Sequence, residues 1–170
     1  MKYLLIPAAT LLMGGCASTY SPVPENYSGA ISKFESTQKR HSEGKADLFY
    51  LEKVDGKRIH NSAAATRSAT YGQGFALTTE HVVTDTPSSM ATFTIKGRTL
   101  YAAPIQAMTG TVYEVTGDVT FSPEPDITYI VRGELGKAYS AVWIEEKGSG
   151  KVILKKIEIK GDSELGFFEK

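Results

Sequence analysis

A two-residue alternation of apolar side chains, recurring from residue 46 almost to the C-terminus, constrains this chain most. Phe75, Leu77, Thr79, His81 and Val83 share one face of an extended backbone. Ala91, Phe93 and Ile95 share another, and Ile127, Tyr129 and Val131 a third. Turn signals separate the runs: Asp55-Gly56 after Leu48 to Val54, Lys96-Gly97, the Pro-rich residues 122–126 and the Gly-rich residues 147–150. Further strands are expected over 57–60, 100–103 (ending near Pro104), 112–116 leading into Val119 and Phe121, 138–145 and 152–159, with Gly117 as a bulge or kink. Residues 61–67 differ: Asn61 is a good N-cap, the alanines that follow favour helix, and Gly72 can end the element. About eight short strands and one short helix predict a mainly β fold, an antiparallel β-sandwich, with a small β-barrel as the alternative.

The N-terminal end follows other rules. Lys2 is followed by an uncharged apolar stretch from Tyr3 to Met13. That length suits the hydrophobic part of a secretion signal, and a bilayer span needs about 20 residues. Gly14, Gly15 and Cys16 come next, and Cys16 is the only cysteine in the chain.

Met13-Gly14-Gly15-Cys16 resembles the lipobox of bacterial lipoproteins, with Met13 where leucine is preferred. The resemblance covers the signal alone. It implies cleavage between Gly15 and Cys16, a lipid-carrying Cys16 at the new N-terminus, and acyl chains of the palmitate type. Each buried methylene of such chains contributes roughly 0.8 kcal/mol, so two or more give stable attachment. Ala17, where an Asp would retain a lipoprotein at the inner membrane, implies the outer membrane, facing the periplasm. The run from Val112 through Trp143 is similar in texture to uncharacterised envelope lipoproteins. The Gly-x-Trp triplet of lipocalin-like lipoproteins does not occur.

The expected organisation is a signal peptide over residues 1–15, a lipidated tether over 16–45 and a β-rich domain over 46–170. Pro22, Pro24 and the polar run 36–44 argue against packing in the tether. The chain has 19 basic and 19 acidic residues. Without a basic surplus, nucleic acid is not an expected partner.

Searches for chemistry find little. His41, His60 and His81 have no metal-ligand spacing, so no metal or cofactor is expected. No Gly-x-Ser-x-Gly elbow occurs, and Glu145 and Glu146 point to opposite faces of one strand. No catalytic residue is assigned, and the domain is expected not to be an enzyme. Aromatics on strands remain, and Tyr129, Tyr139 and Trp143 are the candidates for a partner surface. The expected function is a lipid-anchored envelope protein whose β domain binds an envelope protein or peptidoglycan. The alternative is a carrier or sensor of a small apolar ligand. An enzyme would instead bring His60 or His81 to a carboxylate and a hydroxyl in a cleft.

Overall fold

The computed structural model describes residues 19–170. The expected signal peptide, Gly15 and Cys16 lie outside the described residues.

Ten strands and two helices follow in the order β1 (Ile31–Glu35), β2 (Thr37–Ser42), β3 (Lys45–Val54), β4 (Lys57–Arg58), α1 (Ser62–Thr70), β5 (Val83–Pro87), β6 (Ala91–Tyr101), α2 (Pro104–Thr109), β7 (Glu114–Phe121), β8 (Thr128–Glu134), β9 (Tyr139–Glu146) and β10 (Ile157–Lys160). They form a β-sandwich and not a closed barrel. The front sheet has the order β10-β9-β8-β1-β5, and the back sheet β2-β3-β6-β7 with β4 on β3. Pairing is antiparallel except between β1 and β8, where Phe34 lies beside Tyr129 in a parallel register.

β1 and β2 correct the expectation of a tether over 16–45. Only Ser36 separates them, and at this residue the chain passes from the front sheet to the back. The corner is strapped by the Val82 backbone: Ser36 N–H donates to Val82 O at 3.2 Å, and Val82 N–H donates to Ser36 Oγ at 3.1 Å. β1 is held by non-local partners. Ser32 is fully buried, with its Oγ 2.6 Å from Ser88 Oγ.

The sheets meet over an aromatic stack. Phe34 of β1 lies 4.7 Å from Phe93 of β6 and 5.2 Å from Tyr129 of β8, centroid to centroid. Phe121 of β7 closes the group at 5.4 Å from Tyr129. Burying each such ring stabilises the fold by ~1.5–3 kcal/mol. Phe49 of β3 spans the interface and needs bare backbone to do so. A Cβ at Gly133 on β8 would sit 2.3 Å from its ring, and one at Gly97 on β6 would sit 2.9 Å away. Gly97 therefore lies inside β6, opposite Phe49, and not in the turn expected there. β6 consequently runs unbroken into the start of the expected strand at 100–103 and ends at Tyr101. Gly117 likewise continues β7 opposite Ile95 without a bulge or kink.

The back sheet is covered on its other face too. Ala46, Leu48 and Tyr50 of β3 and Leu100 of β6 pack with Ala63 of α1 and Leu77. Two-sided cover explains why β3 is buried along nearly its whole length. α1 starts as expected: the Asn61 side chain accepts from Ala64 N–H at 3.0 Å. The β3–β4 hairpin turns, also as expected, on Asp55 and Gly56, both at positive φ.

The expected strand over 75–83 forms only at its end, in β5. The backbone of residues 77–80 bonds elsewhere. Leu77 N–H donates to Glu43 O at 2.9 Å, Thr78 N–H to Thr70 Oγ1 at 3.1 Å and Glu80 N–H to Thr66 Oγ1 at 2.9 Å. Threonine hydroxyls on α1 thus take the place of a neighbouring strand. His81 is exposed at this strap.

Candidate functional site

The three aromatics proposed as a partner surface do not come together. Tyr129 is 1% exposed and belongs to the inter-sheet core, because its position on β8 points inward with Val131. Its hydroxyl accepts from Glu124 N–H at 2.9 Å, and burial raises its pKa. Tyr139 and Trp143, four residues apart on β9, share the outer face of the front sheet.

That outer face is saturated with local partners. Trp143 Nε1–H donates to Glu145 Oε2 at 3.1 Å, and Lys156 Nζ sits 3.8 Å from the indole centroid. Arg132 on the neighbouring strand pairs with Glu145 at 2.5 Å. Burial pushes the Glu145 carboxyl up, but the bonds from Arg132 and Trp143 and the guanidinium charge hold it below the usual carboxylate range. Tyr139 donates to Glu158 Oε1 at 2.8 Å, which pushes the phenol up to about 12. Lys147 reaches Glu35 at 2.8 Å. Each of these groups thus has a neighbour within reach: a carboxylate for Arg132, Lys147, Tyr139 and Trp143, and the indole ring for Lys156.

Of the histidines, His60 is exposed and lines a cleft of about 350 Å³ with Asp85, Ser21 and Thr84, with no hydrogen bond from its ring to any of them among the described residues. His81 Nδ1 lies 3.3 Å from Ser36 O. It is His41, on β2, that meets a carboxylate. Its Nε2 lies 2.6 Å from Asp47 Oδ2, while Thr99 Oγ1 donates to Asp47 Oδ1 at 2.7 Å. Asp47 stands between the imidazole and the hydroxyl. A nucleophilic triad needs the imidazole at the hydroxyl; here the carboxylate stands between them, and the chain of bonds joins three strands. No cluster of metal-ligating side chains occurs among the described residues.

A concave feature lies on the other side, where the cover of the back sheet stops short. A groove of about 520 Å³, open along one side, runs between the end of α1, the 72–77 loop, the end of β6 and α2. Leu77, Leu100 and Val112 supply an apolar floor. α2 forms one wall; Pro104 sits at its first position, and the Gln106 side chain accepts from Ala103 N–H at 3.0 Å. The C-terminal segment closes one end. Arg98 donates to Glu169 O at 3.1 Å, and Lys170 Nζ donates to Gly110 O at 2.7 Å.

Charge enters this groove with one sign. Arg67, Arg98 and Lys170 line it, and no Asp or Glu does. Beside the floor, on the same face of the back sheet, Lys96 bridges Glu52 at 3.1 Å and Glu114 at 3.3 Å, and Glu114 also pairs with Arg98. Tyr50 is buried beside this network. Desolvation raises its pKa first, Glu52 and Glu114 add to the rise, and Arg67 and Arg98 oppose it.

Several exposed apolar side chains lie on the segments that border this groove, while Met90, Val83 and Leu154 are exposed elsewhere. Tyr71 is 90% exposed, Phe75 64% and Phe168 97%, beside groove-lining Thr70, Gly74 and Lys170. α2 adds Ile105 and Met108, exposed on the helix whose Pro104 and Ala107 line the groove. Sequence reasoning did not find this site. Its signals were an aromatic on each side of the glycines at 72 and 74, and a Phe-Phe pair near the C-terminus. No protein-family model, no curated protein and no solved structure matches this chain.

Proposed function

We propose that the chain is a lipid-anchored protein of the bacterial envelope, held by Cys16 at the periplasmic face of the outer membrane. Its non-enzymatic β domain binds another envelope component in the groove beside α1. One observation carries the binding role: Tyr71, Phe75, Ile105 and Met108, large apolar side chains left in water, lie on the segments that border an apolar groove. Exposed apolar surface concentrated in that way marks an interaction site, whereas isolated exposed residues do not. The filled aromatic core between the sheets leaves the outer surface as the place to bind.

The carrier of a small apolar ligand stays as a second reading because of one number. The groove's 520 Å³ falls within the ~300–1,000 Å³ usual for small-molecule sites.

Two measurements test the proposal. Mass spectrometry of the membrane-extracted protein should find an acylated N-terminal Cys16, with Cys16→Ser released to the soluble fraction. An unmodified thiol or a retained Met1 would remove the anchor. For binding, a photoreactive residue at position 71 should crosslink to an envelope component in intact cells. A purified protein that instead carries a bound small apolar molecule, displaced by Leu100→Trp, would favour the second reading.

A further inference from the structure

We infer that the groove receives an extended apolar segment of a partner protein bearing one carboxylate, and that this carboxylate seats on Arg67. The inference rests on the binding role proposed above and specifies its partner.

Charge supplies the first argument. Of the three groove-lining cations, Arg98 is paired with Glu114, and Lys170 with Glu164 at 3.0 Å. Arg67 stands exposed in the last turn of α1, with no carboxylate paired to it among the described residues. A guanidinium presents a planar fork of donors that matches a carboxylate. An entering anion therefore finds one free partner and no opposing Asp or Glu.

The floor supplies the second. Leu77, Leu100 and Val112 offer apolar surface, and the lining hydroxyls of Thr70, Thr99 and Tyr101 already donate to Thr78 O, Asp47 Oδ1 and Thr111 O, so an occupant gains there by burying apolar atoms. Shape and rim supply the third. The groove is open along one side, so an acyl chain lying in it would keep much of its length wet. At the rim Tyr71 is 90% exposed and carries apolar surface out of the groove, which a polypeptide crossing the rim can cover.

The test places benzoylphenylalanine at position 71, and separately at 168, in the full chain, with position 143 on the opposite sheet as control. Cells are irradiated and the adduct is mapped by mass spectrometry. The expected adduct at 71 and 168 is a peptide rich in apolar residues, with Asp, Glu or a chain-terminal carboxylate within a few residues. Arg67→Glu, on an exposed turn, should lower its yield at least about tenfold with an unchanged melting temperature, while Arg67→Lys keeps most of it. A lipid or peptidoglycan adduct, a partner peptide without a carboxylate, or a yield indifferent to Arg67→Glu would overturn the inference. Crosslinking at 143 alone would overturn it together with the groove as the binding site, whereas the first three outcomes leave the groove's binding role standing. Silence at all three positions would remove both.

Discussion

The two sheets share one core but treat their outer faces differently. The front sheet meets water with a lattice of ion pairs around Trp143, and each charged group there is answered by a neighbour. The back sheet is roofed by α1, the strap at 77–80, α2 and the C-terminal segment. A solvated face is complete in itself. A roofed face ends where its roof ends, and the unfinished margin becomes the groove.

The largest test of this contrast is a pair of truncations. Leu48→Ala, beneath the roof, should cost ~2–5 kcal/mol in urea unfolding. Arg132→Ala, on the solvated face, should cost less than ~1 kcal/mol. Equal losses would end the comparison. Next comes the joint between the sheets. Gly133→Ala drives a methyl into the Phe49 ring and should cost ~1–3 kcal/mol, partly recovered in the Phe49→Leu background. Third, Thr66→Val strips the acceptor from Glu80 N–H. A loss of ~1–2 kcal/mol is expected, with faster amide exchange over residues 77–82 but not in β8 or β9.

The smallest effects are titrations on the solvated face. The Tyr139 phenol should titrate near 12 by ultraviolet absorbance and return toward the ordinary value of about 10 in Glu158→Gln. Because the folded value is raised, whatever stability this bond contributes is full below the ordinary tyrosine range and lost as pH climbs through about 12. Glu145 has the opposite sign. Its folded value is depressed, so its contribution is present at neutral pH and fades as acid protonates the carboxylate. Arg132→Ala should weaken that acid sensitivity, read from melting temperatures at pH 7 and pH 3.

Local signals were legible in proportion to how locally they act. Asp55-Gly56 and Asn61 did what their backbone preferences dictate, and the alternation at 91–95 and 127–131 marked true strands. β2 was hidden because it is an edge strand, and its exposed Lys39, Arg40 and His41 have the composition of a tether. Pro104 was read as the end of a strand when it is also the first residue of α2. Gly97 was read as a turn when the reason for its missing side chain is a ring on β3. The groove was the least visible. Arg67, Leu77, Leu100 and Lys170 lie far apart along the chain, and only the roof's geometry brings them together.

The parallel pairing of β1 with β8 carries a consequence for how this protein is made. Lys33 cannot find Thr128 until most of the polypeptide has left the ribosome, so the front sheet has a gap in its middle throughout synthesis. Contacts so distant along the chain slow acquisition of the native state. For a chain threaded through a membrane before it folds, as the proposed export requires, that delay is an advantage: the nascent polypeptide stays loose enough to be translocated.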